Sequence, residues 1–492
     1  MPEHALEPIF HPRGIALVGV SSSDGVSGGG GGSGGFLASL MEQGFQEKGG
    51  LYPVNPKMSE VRGLRCYPTL LDTPDPVDHV ISLIPARAVP TLVDQAIQKQ
   101  VRSIHFFTAG FSETGDPEMA RMEQEVIGKL KAAGIRAVGP NCMGLYVPSE
   151  RIAFMGGFPK ESGNVMMISQ SGANAGDVVH GLGRRGVRFS KVVSFGNGID
   201  IRAHHLFEYA AADPQTEVIT AYIEGVQDGR RMFEAIRAAA RVKPVILLKG
   251  GLTSAGARAA HSHTGSLAGS IDIFEALCRQ TGAMRAETMD DLHDLVVAVT
   301  TSVRRVQGRG VALIAGGGGF AVLSSDAIAA AGLDLPPTPE ETKRLLHEYI
   351  PVAGTSVNNP IDANSASPEL AQTTLRLVSQ ASTNDVVIAS PSFGQRGLPG
   401  APDVTPAEES DEHVREQIRV AVEMYARTQE ETGTPIVALL RDRSGSRKQM
   451  DLFQQEAYRA GIATYPTVAR AARAIALMLR WRERRAGLPA VF

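Results

Sequence analysis

GIALVGVSSSDGVSGGGGGSGGFLASLMEQGF, residues 14–45, joins an apolar run, a glycine-rich run and an amphipathic run. Residues 14–20 are apolar and rich in β-branched side chains, as in a buried strand, whereas residues 36–45 favour a helix. The run SGGGGGSGG, residues 27–35, resembles a linker, but it stands between the strand and the helix. We therefore predict a strand–loop–helix unit whose loop lies at the end of the first strand.

The same alternation continues to residue 141. Further strands are predicted at GLYPVNP (50–56), VDHVISLIP (77–85), SIHFFTAGF (103–111) and IRAVGPN (135–141), with helical segments between them. Because strand–helix–strand connections join parallel strands, the pattern predicts an α/β fold with a parallel sheet.

The pattern then restarts twice. The second series of predicted strands is NVMMISQSG (164–172), FSKVVSFGNG (189–198), EVITAYIEG (217–225) and KPVILLKG (243–250), and the third is VALIAGGGG (311–319), DVVIASPS (385–392) and TPIVALLRD (434–442). Two segments are typical of linkers, FPKESG (158–163) and VRRVQGRG (303–310). His204 and His205, in IRAHHLF, are expected on a helix surface.

Composition narrows the class of protein. The 492 residues suggest about three domains, and the net charge of −3 argues against a general nucleic-acid surface. Three cysteines without a CxxC spacing indicate neither disulfides nor a zinc site. The N-terminus lacks the apolar core of a signal peptide, and no apolar run is long enough for a membrane span. We expect a cytoplasmic protein that holds no metal of its own.

Each of the three series begins with a strand that runs into small residues and then a helix: VGVSSSDGVSGGGGGSGGF, MISQSGANAGDVV and ALIAGGGGFAVL. Glycine lets a phosphate approach the backbone, and the N–H groups of the next helix point at the anion. A single turn of this kind is also ordinary α/β packing, but three of them indicate phosphate chemistry.

The second strand of the first series ends in VNPK (54–57). A domain that binds NAD usually has an acidic residue there for the ribose hydroxyls. Lys57 instead suits a phosphorylated ribose, as in NADP or coenzyme A, or is a solvent-exposed lysine. The sequence contains no Walker A loop, HExxH, EF-hand loop or GxSxG elbow.

HSHTGSLAGS, residues 261–270, places two histidines among small residues. A histidine on such a loop does not pack a core. Either it marks a turn, or a reacting group must reach the imidazole.

Eight stretches together resemble the α subunit of the NDP-forming (ADP-forming) acyl-CoA and acetyl-CoA synthetases, in the succinyl-CoA synthetase superfamily. They are VGVSSS, YPVNPK, FFTAGFSETG, VGPNCMGL, VSFGNGIDI, YIEGVQDGRR, GARAAHSHTGSLAGS and NNPID. They occur in the family's order and span almost the whole chain. The resemblance implies a Rossmann-like CoA-binding domain (1–155), a first flavodoxin-like ligase domain with the phosphohistidine loop (156–305) and a second flavodoxin-like ligase domain (306–492).

The resemblance also assigns reacting groups. His263 matches the histidine that becomes phosphorylated, and Glu224 matches the glutamate that hydrogen-bonds it. Ser171 and Gly172 match a phosphate-binding helix N-terminus, and Gly317, Gly318 and Gly319 match a second one. Such an imidazole can attack an acyl phosphate, and a carboxylate on its other nitrogen fixes the tautomer. Small residues around His263 would let its loop move between an acyl-phosphate site and a nucleotide site.

The CoA contacts implied by the resemblance lie in the first domain. They map to Gly19, Ser21, Lys57, Pro85, Thr108, Ala109 and Gly110, with Asn141 and Cys142 where the reactive end of CoA would approach. Cys142 itself is expected to be a small buried residue rather than a nucleophile.

The reaction implied is acyl-CoA + phosphate + ADP ⇌ carboxylic acid + CoA + ATP. An ATP-grasp β subunit would hold the ADP or ATP and the Mg²⁺, and the family suggests a heterotetramer. The chain departs from the family at Asn174 and Asp177, in its long glycine-rich CoA loop, at His261, and in IAGGGGF. These departures leave open a catalytically silent CoA-binding regulatory protein, and Lys57 leaves open an NADP-linked oxidoreductase.

Overall fold

The structure is a computed structural model that describes residues 4–21, 33–253, 255–256, 258, 270–314, 316–351, 355–363, 368–391, 411–441 and 446–486. The chain forms two compact units. The first is built mainly from residues 1–183 and 188–287, and the second from residues 184–187 and 288–490.

The first unit contains thirteen strands in its described residues: β1 (Gly14–Val18), β2 (Gly50–Val54), β3 (Glu60–Val61), β4 (Leu64–Arg65), β5 (His79–Ser82), β6 (Ser103–Phe106), β7 (Arg136–Val138), β8 (Gly144–Tyr146), β9 (Val165–Ser169), β10 (Phe189–Ser194), β11 (Val218–Ile223), β12 (Val245–Lys249) and β13 (Met284–Ala286). Its helices are α1 (Glu7–Phe10), α2 (Ser33–Gln43), α3 (Val89–Gln98), α4 (Pro117–Ala132), α5 (Gly172–Arg184), α6 (Ala203–Ala212), α7 (Gly229–Val242) and α8 (Ile271–Thr281).

The second unit contains the strands β14 (Val311–Ile314), β15 (Val386–Ala389), β16 (Ile436–Leu439) and β17 (Ala463–Tyr465). Its helices are α9 (Met289–Thr300), α10 (Gly318–Ala330), α11 (Glu340–His347), α12 (Pro368–Gln380), α13 (Asp411–Thr432), α14 (Arg447–Arg459) and α15 (Val468–Ala486). Short 3₁₀ helices occur at Phe45–Glu47, Leu70–Asp72, Ala86–Ala88, Ser112–Thr114, Pro148–Glu150 and Ser302–Arg305.

The two larger sheets share one strand order. The first is β2-β1-β5-β6-β7, and the second is β13-β12-β11-β9-β10 with β8 added antiparallel to β10. Counted along the chain within each sheet, both follow the order 2-1-3-4-5, and these five strands are parallel. The third sheet, β14-β15-β16-β17, is parallel too, and Ile361 makes a single parallel bridge to Ile314 on its open side. The predicted parallel α/β fold is confirmed.

Burial explains why the strands read as continuous apolar runs. Every residue of β9 and β10 is buried, because helices cover both faces of a doubly wound parallel sheet. The strands that the sequence did not predict are all short: β3 and β4 have two residues each, and β8, β13 and β17 have three each. The prediction that His204 lies on a helix surface is wrong, since its side chain is buried on α6.

Candidate functional site

The site of the first unit lies at the carboxyl ends of the strands. In the second sheet the chain direction across the sheet reverses between β9 and β11, and such a switch point leaves a crevice where α/β proteins bind ligands. Gln170, Ser171 and Gly172 follow β9, and Glu224 follows β11. The structure therefore brings the predicted phosphate turn and the predicted carboxylate to the same crevice.

Ser171 caps helix α5. Its Oγ accepts a hydrogen bond from the Asn174 N–H at 3.3 Å, as an N-cap side chain does. Ser169 fixes the turn from the other side, because its Oγ donates to the Ser171 carbonyl at 2.6 Å and accepts from the Ser171 N–H at 3.2 Å. The Asn174 N–H that bonds to the cap is the third N–H of helix α5. The positive end of the helix dipole faces the crevice. This turn can hold an anion.

Glu224 is buried, with 9% of its surface exposed. Its backbone N–H and that of Gly225 both donate to Gln170 Oε1, at 2.7 and 3.0 Å. Lys249 Nζ donates to the Glu224 carbonyl at 2.5 Å, and burial lowers the pKa of this ammonium, although the Glu224 charge opposes the shift. Within the described residues, Glu224 Oε2 is buried without a hydrogen-bond partner. A buried carboxylate oxygen in that state is available to a donor that enters the crevice.

Tyr222 and Asn174 surround the same carboxylate. Burial, the charge of Glu224 and a hydrogen bond with Glu224 together raise the pKa of the Tyr222 hydroxyl to about 12. A hydrogen bond with Asn174 acts in the opposite direction. Asn174, which departs from the family pattern, thus belongs to the polar surroundings of Glu224.

The turn after β7 reaches the same place. Asn141 has φ of 56°, its N–H donates to the Thr108 carbonyl at 3.0 Å, and the Asn197 N–H donates to the Pro140 carbonyl at 3.0 Å. Met143 then packs against Gly172 so closely that a Cβ on Gly172 would lie 2.3 Å from Met143 Cγ. The predicted end of the CoA site and the predicted phosphate turn are therefore in direct contact.

The other predicted CoA residues follow β1, β2, β5 and β6 of the first sheet, at the carboxyl ends of strands on both sides of the switch point between β1 and β5. Gly19 has φ of 98°, and a Cβ there would lie 2.7 Å from Ile84 Cγ2, so that only glycine fits. Thr108 is buried and donates to the Ile84 carbonyl at 2.7 Å. The remaining predicted CoA residues are more accessible to solvent: Ser21 and Gly110 are half-buried, and Lys57, Pro85 and Ala109 are exposed.

Cys142 does not present a reactive thiol. Its side chain is 4% exposed, its Sγ lies 3.7 Å from the Phe106 carbonyl oxygen, and burial raises the pKa of the thiol. A thiol must ionise to act as a nucleophile, so this environment supports the interpretation of Cys142 as a packing residue.

Gly317 is the N-cap of helix α10 in the second unit, and Gly318 and Gly319 are the first two residues of that helix. The Gly317 N–H donates to Asp362 Oδ2 at 3.1 Å, and Asp362 is 8% exposed. In the described part of this unit, Asp362 Oδ1 is buried without a partner, beside a cavity of about 390 Å³ lined by Gly318, Ser325, Thr355 and Ser356. A carboxylate thus already occupies one N–H of the predicted second phosphate turn.

Some predicted features fall outside the described residues. They are His263, with the rest of the stretch 259–269, and the glycine-rich loop at residues 22–32. Where the chain is described, no cluster of three or more His, Cys, Asp or Glu side chains is arranged to bind a metal ion. None of the described helices combines the length and apolar character that a membrane crossing requires.

Two residues of the site were not assigned from the sequence. Gln170 stands within the predicted strand-to-helix turn MISQSGANAGDVV, and Asp362 stands within NNPID, one of the stretches that carry the resemblance. Gln170 directly follows β9 at the carboxyl edge of a parallel sheet, and this position is the signal that could have identified it, whereas Asp362 follows only the single bridge residue Ile361.

Comparison with known proteins identifies the class as CoA ligases. The model of the CoA binding domain matches residues 13–148, that of the succinyl-CoA ligase like flavodoxin domain matches residues 162–299, and that of the Ligase-CoA domain matches residues 311–390. The structure of the Candidatus Korarchaeum cryptofilum dinucleotide forming acetyl-coenzyme A synthetase 1, in complex with phosphate and ADP, matches with a TM-score of 0.76 and 28% identity over 98% of this chain and 97% of that chain.

Curated sequences narrow the class to one family. Acetate–CoA ligase [ADP-forming] II subunit alpha of Pyrococcus furiosus is 34% identical over 94% of this chain and 94% of its own length. Acetate–CoA ligase [ADP-forming] I of Archaeoglobus fulgidus is 35% identical over 78% of this chain, but the match spans only 54% of that longer protein. The chain belongs to the family of ADP-forming acetate–CoA ligase α subunits, which confirms the resemblance seen in the sequence.

Proposed function

We propose that this chain is the α subunit of an ADP-forming acyl-CoA synthetase. It interconverts acyl-CoA, phosphate and ADP with a carboxylic acid, CoA and ATP. The observation that carries the proposal is the arrangement of buried Glu224 beside the α5 N-terminus, with the Asn141–Met143 turn in contact with Gly172. In this proposal the arrangement brings the reactive end of CoA and a bound anion near Glu224 Oε2, which has no hydrogen-bond partner among the described residues.

The chemistry proceeds in two transfers on this chain. First, a phosphate oxygen attacks the thioester carbonyl, the C–S bond breaks and the CoA thiolate leaves, which forms an acyl phosphate. Second, an imidazole nitrogen of His263 attacks the phosphorus and the carboxylate leaves, which yields phosphohistidine. The phosphoryl group then passes to ADP.

The residues have distinct roles in this proposal. The α5 N-terminus at Ser171 and Gly172 binds the transferred phosphoryl group through N–H donors and the helix dipole. Glu224 Oε2 accepts the N–H of the second imidazole nitrogen of His263 and stabilises the cation that forms on phosphorylation. The glycines at 317–319 are proposed as a second phosphate contact. The Asp362 carboxylate accepts the Gly317 N–H, so this N–H is not available to a phosphate in that arrangement.

CoA is the substrate of the first domain in this proposal, which uses the domain limits 1–155, 156–305 and 306–492. The contacts are those proposed from the sequence, with Lys57 on the phosphorylated ribose. The exposed position of Lys57, on a turn that Asn55 ties to the Val20 carbonyl at 2.7 Å, supports a charge held at the mouth of the crevice.

We propose that the nucleotide and its Mg²⁺ belong to a second, ATP-grasp β subunit, and that two chains of each kind form a heterotetramer. Two findings support a partner: the similar P. furiosus protein is named a subunit alpha, and this chain matches about half of the longer A. fulgidus protein. The described residues include three buried cysteines that form no disulfide, which agrees with the proposed cytoplasmic location.

A labelling experiment tests the proposal. The purified chain is incubated with ³²P-phosphate and acetyl-, isobutyryl-, phenylacetyl- or succinyl-CoA, and the acid-labile, base-stable label on the protein is measured beside a His263→Ala variant. The expected result is label that requires both His263 and one class of acyl-CoA, which names the acid. CoA binding without label, with or without a β subunit, would contradict the proposal and favour a CoA-binding regulatory protein. Binding of NADPH would favour the oxidoreductase.

A further inference from the structure

Gln170 links the two halves of the crevice. It directly follows β9, it is 7% exposed, and its backbone N–H donates to the Tyr222 carbonyl on β11 at 3.0 Å. Its side chain extends to the residues just beyond β11, where Oε1 accepts from the N–H groups of Glu224 and Gly225.

These two N–H groups lie where the sheet ladder ends. The pairing of β9 with β11 ends at Ser169 and Tyr222. On the opposite side of β11, where β12 lies, the last hydrogen bond runs from the Gly250 N–H to the Ile223 carbonyl. Beyond that point, no strand in the described part of the chain supplies an acceptor on the β9 side. The Gln170 carboxamide replaces the missing backbone carbonyl and satisfies two donors that are costly to bury unpaired.

Two hydrogen bonds to adjacent N–H groups fix the backbone orientation of Glu224. That orientation decides where its side chain leaves the strand, and therefore where Oε2, which has no partner in the described structure, points. Lys249 also contacts Glu224, but through the carbonyl oxygen, and it belongs to β12. Unlike Lys249, Gln170 connects Glu224 to the phosphate turn, because it immediately precedes Ser171, the cap of that turn.

We infer that Gln170 is a positioning residue that holds the Glu224 carboxylate in register with the phosphate turn of α5. The inference rests on the proposed function, in which Glu224 orients the reacting histidine. Gln170 contacts neither substrate nor imidazole in this role. It acts through Glu224, so its contribution to phosphoryl transfer exists only while Glu224 can carry a charge.

A double-mutant cycle tests this role in the full chain. The rate of acyl-CoA-dependent labelling is measured for the wild type, Gln170→Ala, Glu224→Gln and the double variant. We expect Gln170→Ala to slow labelling about tenfold in the wild-type background and less than about twofold in the Glu224→Gln background. The apparent KM for acyl-CoA should stay the same in both backgrounds, since the proposed CoA contacts lie elsewhere.

Gln429 supplies a matched control. It is also 7% exposed, and its Oε1 accepts one backbone N–H, that of Ile436, at 3.0 Å in the other unit. Gln429→Ala should lower stability without changing the labelling rate of the protein that remains folded. Thermal unfolding measured on every variant corrects the rates for the folded fraction.

The outcomes separate the inference from the function on which it rests. A Gln170→Ala effect of equal size in both backgrounds would show a merely structural role and overturn the inference while the proposed function stands. No effect in the wild-type background would do the same. A Glu224→Gln protein that labels like the wild type would overturn both the role of Glu224 and this inference.

Discussion

Met143 occupies the space that any side chain on Gly172 would need. A Cβ on Gly172 would lie 2.3 Å from Met143 Cγ and 3.3 Å from Met143 Cβ. Met143 is held in turn by its N–H, which donates to Ser194 Oγ at 3.1 Å. The turn that follows β7 and the first residue of α5 therefore cannot move independently.

Gly172→Ala is expected to push the two turns apart. Overpacking of this kind costs about 1–3 kcal/mol, and a displaced Asn141 turn should slow acyl-CoA-dependent labelling about tenfold. The measurement is the labelling rate together with the thermal midpoint.

The compensating change provides the control. Met143→Ala removes the atoms that clash, so the double variant Gly172→Ala, Met143→Ala should label faster than Gly172→Ala alone. If the double variant is as slow as Gly172→Ala, the contact does not transmit the effect.

Long apolar runs made most of the fold predictable. The strands β1, β9, β11 and β12 each lie within a predicted segment, because a strand covered on both faces needs a continuous apolar sequence. The short strands lack that signal. Two of them have a different local feature: β13 and β17 each follow a helix that ends near a glycine with positive φ, Gly282 before β13 and Gly461 before β17.

The site was predictable only in part. Ser171 and Glu224 lie at the carboxyl ends of predicted strands, and the resemblance assigns both, so the sequence predicts them at the same edge of a sheet. The bonds from Glu224 and Gly225 to Gln170 join residues far apart in the chain, and the contact between Gly317 and Asp362 does likewise. No local pattern encodes such contacts, because they depend on strand order.

Lys57 should distinguish CoA from its dephosphorylated form. The side chain is exposed at the mouth of the first crevice, where its charge can meet a ribose phosphate. Lys57→Ala is expected to weaken CoA binding about tenfold and to leave dephospho-CoA binding unchanged, as measured by calorimetric titration. The exposed Lys131→Ala, on α4, serves as the control. Equal losses for CoA and dephospho-CoA would mean that Lys57 does not contact the ribose phosphate, which dephospho-CoA lacks.

Acid should destabilise the first sheet through two buried histidines. Burial lowers the pKa of His79 to about 3 and that of His105 to about 4. His79 Nδ1 bonds Ser103 Oγ at 2.7 Å, and His105 Nε2 bonds the Cys142 carbonyl at 3.0 Å. Since both folded pKa values lie below the ordinary value of about 6.5, the unfolded chain binds more protons as the pH falls.

The stability of this sheet is therefore expected to decline from pH 6.5 towards pH 4, by about 2 kcal/mol for each histidine at pH 5. Hydrogen exchange of peptides from β5 and β6, corrected for the intrinsic pH dependence, measures it. His79→Asn should reduce the slope by about one proton, whereas the exposed His347→Asn should leave it unchanged. A wild-type profile that is flat from pH 7 to 5 would show that these histidines do not stay neutral.

Asp294 should be the most sensitive charged residue of α9 in the second unit. Its carboxylate is 5% exposed and accepts from Arg185 Nη1 at 2.7 Å and from Arg470 Nε at 2.6 Å. Asp294→Asn leaves a buried guanidinium without its counter-charge, which costs about 3–5 kcal/mol. Trp481, the single tryptophan, lies on α15 of the same unit, so its fluorescence during urea unfolding reports the loss of stability.

The control is Glu416→Gln, which breaks an exposed ion pair with Arg419 in this unit and should shift the urea midpoint little. Equal shifts for the two variants would mean that solvent reaches Asp294 and that the ion pair lies effectively at the surface.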